Sequence, residues 1–411
     1  MKINKHCFPN GLRLVHYEDT STQMVALNIV YDVGARDEHP EHTGFAHLFE
    51  HLMFGGSAHI PDYDTPLQLA GGENNAWTNN DITNYYLTVP KPNVETAFWL
   101  ESDRMLELAF SEQSLEVQRG VVMEEFKQRC LNQPYGDVGH LFRPLAFRVH
   151  PYRWPTIGKE LSHIEQATLD EVKSFFYRFY APNNAVLAVT GNISWDETVK
   201  LTEKWFAPIP RRDVPVRQLP QEPEQTQERR LMVERNVPLD ALFMGYHMCS
   251  REGADYYAFD ILSDILSNGR SSRLNRRLVQ EENIFSGIDA YISGTRDAGL
   301  LQISGKPAAG VSLEQAEAAV RKELEELQRS PVDGQELEKV KNKFESTQIF
   351  GNINYLNVAT NLAWFELTGK AEDIDLEVER YRSVTTEQLH TVAQRTFCES
   401  NAVVLYYKSD K

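Results

Sequence analysis

The run His47-Leu48-Phe49-Glu50-His51 places three side chains able to bind and use a metal ion within five positions. On a helix, residues i and i+4 lie one turn apart on the same face. Imidazoles at 47 and 51 can therefore both reach one Zn2+ at about 2.0–2.1 Å. Glu50 follows His47 by three positions and shares that face, so its carboxylate can take a proton from water beside the metal. This is the zinc-peptidase helix motif with the glutamate at the other interior position. Its flanks, Gly44-Phe45-Ala46 and Leu52-Met53-Phe54, suit a buried helix that ends at Gly55-Gly56. Unpaired imidazoles and a carboxylate would be costly there without a ligand. A zinc site also needs a third protein donor. A helix over 113–130, with Leu115, Val121, Val122 and Phe126 as its core stripe, offers Glu124 and Glu125. Glu125 lies seven residues after Gln118 and three to four after Val121 and Val122, so it is the preferred ligand. Glu124, about 100° around the helix, is the alternative.

These residues must be positioned by a larger frame, and the sequence indicates that the frame is built twice. Thr168-Leu169-Asp170-Glu171 opens a helix with a capping box, followed by a strand at 184–189. Thr385-Thr386-Glu387-Gln388 opens another in the same way, 217 residues on, and a strand follows at 401–406. Ala26-Leu27 to Tyr31 is matched by Ala241-Leu242 to Tyr246 at an offset of 215. Two matched segments at nearly one offset argue for duplication. Pro208, Pro210, Pro215, Pro220 and Pro223 mark a linker over 208–228, between domains 1–207 and 229–411. Strands are expected at 25–33, 82–89, 185–190, 230–235, 241–247, 299–305 and 402–408. Further helices are expected at 43–54, 92–109, 196–206, 254–267 and 313–328, the last with a box from Ser312 to Gln315. This pattern implies an α+β fold: two homologous domains, each a mostly antiparallel sheet with helices packed on one face.

Composition narrows the function classes. The 411 residues are 41% hydrophobic and 25% charged, enough for large cores in a globular chain. With 42 basic against 59 acidic residues, the net charge of −17 disfavours nucleic-acid binding. No apolar run approaches the ~18 residues of a membrane span. Pro9, Asn10 and Gly11 fall where a signal peptide would have its apolar core, so a cytoplasmic location is expected. Cys7, Cys130, Cys249 and Cys398 are too widely spaced for a zinc ribbon and read as free, mostly buried thiols.

On the HxxEH run, a glutamate 74 residues after His51 and the homologous second half, the chain resembles the pitrilysin family of zinc metallopeptidases. That family includes insulin-degrading enzyme and the mitochondrial processing peptidases. Arg119-Gly120-Val121-Val122-Met123-Glu124-Glu125 matches the family's Arg-to-Glu stretch and places the third ligand on Glu125. The resemblance implies one Zn2+ per chain on His47, His51 and Glu125, with Glu50 as general base. Gln118 replaces a frequent acidic residue and would tune the site by hydrogen bonding alone. Gly71-Gly72-Glu73-Asn74-Asn75-Ala76-Trp77-Thr78 reads on its own as a glycine turn into a hairpin. By resemblance it holds an edge strand that pairs with peptide substrate through Asn75, Ala76 and Thr78, Trp77 facing the core.

In the second half the 215 offset carries His47 and His51 onto Leu262 and Leu266, so no metal site is expected there. Family members often have an oxyanion-stabilising Arg and Tyr in that half. Their places fall on Val279 and Ser286, while Arg276 and Arg277 lie nearby, out of register. The reading is a zinc-dependent endopeptidase acting on short or unfolded peptides inside a chamber formed by paired subunits. The alternative is a non-catalytic peptide-binding or scaffold subunit of the same fold. A chain of this length resembles short-form members that pair. A heterodimer with a related zinc-free chain is the more economical arrangement, and a homodimer is its rival.

Overall fold

Met24–Tyr31 is buried along nearly its whole length, as a strand covered on both faces must be. The computed structural model describes residues 1–410. It sets this strand, β3, among β1 (Ile3–Cys7), β2 (Arg13–Glu18), β4 (Glu73–Thr78), β5 (Thr83–Pro90) and β6 (Ala185–Gly191). The sheet order is β1-β2-β6-β3-β5-β4, and only β2 and β6 run parallel. A second sheet joins β7 (Arg229–Arg235), β8 (Ala241–His247), β9 (Phe285–Ile292), β10 (Leu300–Pro307) and β11 (Ala402–Ser409) in the order β7-β11-β8-β10-β9. Here β7 and β11 are the parallel pair. The helices that bear on the site and the sheets are α1 (Phe45–Leu52), α2 (Glu112–Phe126), α3 (Val138–Ala146), α4 (Tyr256–Ser267) and α5 (Tyr355–Thr368).

The duplication extends to strand register. Tyr31 faces Ala185 in the first sheet, and Tyr246 faces Ala402 in the second. Arg13 pairs with Val186, and Arg229 with Val403. Asn75 opposite Tyr86 has its counterpart in Asp289 opposite Ser304, so β9 is the second copy of the β4 edge. The sequence reading missed β1, β2 and β9. β1 is largely exposed and β9 carries Gly287 and Asp289, so neither shows a continuous apolar pattern.

The α+β class holds, and each sheet has a helix on its other face as well. Leu27, Ile29, Leu87 and Leu187 cluster with Leu48, Phe49, Phe98 and Phe176 on one face of the first sheet. On the opposite face Ala26, Val30, Val186 and Ala188 cluster with Val358, Ala359 and Leu362 of α5. In the second sheet Ala241, Val403 and Leu405 cluster with Phe142 and Ala146 of α3. These covering helices come from the other half of the chain, which corrects the domain boundaries. One compact unit comprises Met1–Leu131, Trp154–Leu219 and Ile349–Leu376. The other takes Asn132–Arg153, Pro220–Gln348 and the segment from Glu377 on. A single cut at 208–228 fails because burying the second face of each sheet requires an apolar helix from elsewhere in sequence. The proline-rich stretch has no regular structure but is pinned. Arg217 bonds Asp32 and Asp37, and the Glu222 carboxylate accepts the consecutive N–H groups of Arg148, Val149 and His150.

Of the three expected capping boxes two form in full. The Thr168–Glu171 and Ser312–Gln315 capping boxes form. At Thr385 only the hydroxyl caps, because the Gln388 amide donates to Asp255 instead. Among the thiols only Cys130 is buried, and Cys7 is exposed, so the expectation of mostly buried cysteines does not hold. No helix among the described residues is long and apolar enough to cross a membrane.

Leu262 and Leu266 are fully buried in the second core. Leu262→Ala should therefore lower stability by about 2–5 kcal/mol. The measurement is the denaturant midpoint, with metal content unchanged from wild type.

Candidate metal centre

Helix α1 begins at Gly44, whose φ of +89° is the left-handed conformation that glycine tolerates. A Cβ there would stand 2.6 Å from Ile164 Cδ1 and 2.9 Å from the Ile157 carbonyl oxygen. Gly44 has no side chain with which to cap the helix. The buried Glu38 carboxylate does so, accepting the N–H of Gly44 at 3.0 Å and of Ala46 at 2.9 Å. Burial pushes the Glu38 carboxyl up to about 8, and those N–H bonds oppose the shift. Phe45, Leu48, Phe49 and Leu52 anchor α1 in the core. This fixes which way His47, Glu50 and His51 can face.

The two histidines and Glu125 converge. His47 Nε2 lies 3.5 Å, and His51 Nε2 3.3 Å, from Glu125 Oε2. One ligand atom from each residue falls within 4.8 Å of the others. Donors about 2.0–2.1 Å from a tetrahedral zinc stand about 3.4 Å apart, so the donor types and both measured spacings fit this ion. His47 is only 7% exposed, and burial pulls its imidazole down to about 4, against the attraction of Glu125. It is thus neutral near pH 7, as a metal ligand must be. Its Nδ1 is buried with no hydrogen-bond partner. The Glu125 carboxyl is held below its usual range, first by the His51 hydrogen bond and then, against burial, by His47 and Arg129.

The structure brings Glu125 and not Glu124 to the histidines. Glu124 points to solvent and pairs with Lys127 at 3.0 Å. Two expectations for α2 need correction. Val121 is 46% exposed and not part of the core stripe, which is Leu115, Val122 and Phe126. Gln118 makes no hydrogen bond to His47, His51 or Glu125; its side chain lies toward Gly55. Seven residues are two helical turns, and that rise of about 10 Å carries the amide beyond reach of the ligands.

Glu50 is half-buried, and burial raises its carboxyl. The Thr78 hydroxyl and His51 act in the opposite sense. Thr78 Oγ1 is buried and reaches toward Glu50 without closing a full hydrogen bond. Thr78 ends β4, which forms the sheet edge next to α1. Asn75 is exposed and its Oδ1 accepts the Ala76 N–H at 2.8 Å, while Ala76 packs on the core. Trp77 is 37% exposed, contrary to the expectation that it faces inward. Ala76 and Thr78 lie on the partly covered side of the strand, and alternation turns the indole outward.

The second half carries no equivalent chemistry at the aligned positions. Val279 packs against the second core, and the Ser286 hydroxyl donates to the Lys306 carbonyl at 3.1 Å. Arg277 is held by Glu323 and Glu326, while Arg276 is half exposed and 3.7 Å from Glu281. The sequence reading missed two residues of the first half. Arg129, four residues after Glu125, was detectable by helical spacing. Glu38 was not, because its contact depends on the path of the intervening loop.

Comparison with known proteins agrees with this geometry. Residues 13–137 match the family model described as insulinase (peptidase family M16), and residues 166–344 match the model described as peptidase M16 inactive domain. The chain is 26% identical over 405 residues to the zinc protease PqqE of Helicobacter pylori, covering 97% of this chain and 91% of that protein. It is 24% identical over 406 residues to an uncharacterized zinc protease, YmxG, of Bacillus subtilis, covering 98% of each. The crystal structure of a protease from Helicobacter pylori superposes with a TM-score of 0.94 at 26% identity, over 99% of both chains. The model for the inactive domain spans Leu262 and Leu266, which occupy the places of the two histidines. With matched models over both halves and the HxxEH helix facing Glu125, this chain belongs to peptidase family M16, the pitrilysin family of zinc peptidases.

Proposed function

We propose that this chain is a zinc-dependent endopeptidase that hydrolyses short or unfolded peptides. The observation that carries the reading is the approach of two histidine Nε2 atoms to one carboxylate oxygen, with Glu50 on the same helix. His47, His51 and Glu125 would hold one Zn2+, which supplies Lewis acidity toward the scissile carbonyl and lowers the pKa of water. The chain's own groups do the rest. Glu50 takes a proton from the attacking water as its oxygen bonds to the carbonyl carbon. It then gives that proton to the amine nitrogen as the C–N bond breaks. The raised carboxyl of Glu50 suits a group that must both accept and release a proton. The free edge of β4 offers backbone groups to an extended peptide near Asn75, Ala76 and Thr78, which favours unfolded substrates.

The proposal includes pairing. Neither Val279 nor Ser286 can stabilise an oxyanion as Arg and Tyr do, and Arg277 is already engaged by two glutamates. A related zinc-free chain supplying Arg and Tyr would complete both the chamber and the chemistry. The same two residues favour a second reading, a non-catalytic peptide-binding subunit, if no such partner exists.

Glu50→Gln should keep its zinc and lose turnover by ~10²–10⁴-fold. Peptide cleavage by metal-loaded protein checks this, and near-normal turnover would remove Glu50 from the role. Glu125→Gln should lower zinc content in elemental analysis while Glu124→Gln leaves it intact; the reverse result would reassign the ligand. Purified alone, the chain should bind zinc and cleave unstructured peptides weakly. Loss of oxyanion stabilisation can cost ~3 kcal/mol or more. Full activity as a homodimer, unchanged by a co-expressed homologue, would defeat the heterodimer.

A further inference from the structure

Glu125 does not present both oxygens to the histidines. Oε2 faces the two imidazoles, while Oε1 lies 2.8 Å from Arg129 Nη2. Arg129 stands on a π-helical turn, Lys127–Leu131, that continues α2. Such turns are rare and recur at functional sites. This one is anchored by Cys130, which is buried with Phe126 and Ile157. The neighbouring Glu124–Lys127 pair has both side chains well exposed and is an ordinary surface contact. The Glu125 side chain is only 19% exposed, so its charge-assisted bond is partly desolvated and directional.

We propose that Arg129 is a positioning residue that reserves Oε1 of Glu125, so that the carboxylate meets the metal through Oε2 alone. This rests on the zinc-peptidase reading. A free carboxylate can turn and offer both oxygens to one ion, filling the position that a catalytic zinc site keeps open for water and substrate. A guanidinium on Oε1 opposes that turn. Gln118 cannot substitute, since it does not bond Glu125. The role differs from that of an Arg supplied to the oxyanion, because Arg129 acts on a ligand and not on substrate.

The test is a cobalt titration of the full-length wild type, Arg129→Met and Arg129→Lys, with visible absorption and peptide kinetics read in parallel. Arg129 is 67% exposed, so neither change should disturb folding, which circular dichroism verifies. Arg129→Met should bind cobalt at unchanged stoichiometry. Its visible absorption should weaken as the coordination number rises. Its kcat should fall about 10–100-fold, the usual effect of losing an outer partner of a ligand, with little change in KM. Arg129→Lys should restore most of both. A wild-type spectrum and kcat in Arg129→Met would overturn the inference and leave an ordinary helix pair. Loss of cobalt from Arg129→Met would also overturn it, since Arg129 would then hold the ligand in place without limiting its mode of binding. Failure of the wild type to take up cobalt would overturn the peptidase reading itself, and this inference with it.

Discussion

Two histidines and a glutamate have to emerge from a helix that is otherwise core, and the first unit is organised around that constraint. Helix α1 has only eight residues, too short to be stable alone, so packing must hold it. Phe45, Leu48, Phe49 and Leu52 supply that packing, which leaves one stripe for His47, Glu50 and His51. The Glu38 carboxylate fixes the helix start from outside the helix. Helix α2 brings Glu125 across to the same stripe. Each imidazole has lost solvent and gained a carboxylate within 3.5 Å, an arrangement that makes physical sense when an ion completes it.

The second unit repeats the frame without this constraint. Its five strands repeat the order and register of β2-β6-β3-β5-β4, without a copy of β1, and its helix α4 takes the place of α1. Leu262 and Leu266 fill the space that the histidines occupy in the first unit, and both are sealed in the core. A shared scaffold thus serves chemistry in one copy and packing in the other, as expected when function resides in a grafted site and not in the fold.

Several readings of the sequence stopped at a face without knowing what covers it. The periodicity of α2 puts Val121 beside Glu125, but cannot say that this side is open; the structure leaves it 46% exposed. Alternation along β4 separates Trp77 from Ala76 and Thr78, but which set turns inward depends on how closely α1 approaches the strand. Gln118 shares Glu125's helical face, yet two turns of rise keep it from the ligands. β9 lacks an apolar run because it is an edge strand, and only its pairing with β10 reveals it as the partner copy of β4.

By itself the sequence determined what depends on local spacing and residue type. The i, i+4 histidines, the glutamate between them, the capping boxes at Thr168 and Ser312 and the near-constant offset between halves are all of this kind. Tertiary structure decided what depends on long-range approach. It brought Oε2 of Glu125 to the histidines of another helix, and it sent α3 and α5 to cover sheets in the opposite half of the chain. The reason is physical: helical and strand periods fix the direction of a side chain relative to its own backbone. Its partner is fixed only when separate elements pack to bury apolar surface, and that choice is made across the whole chain.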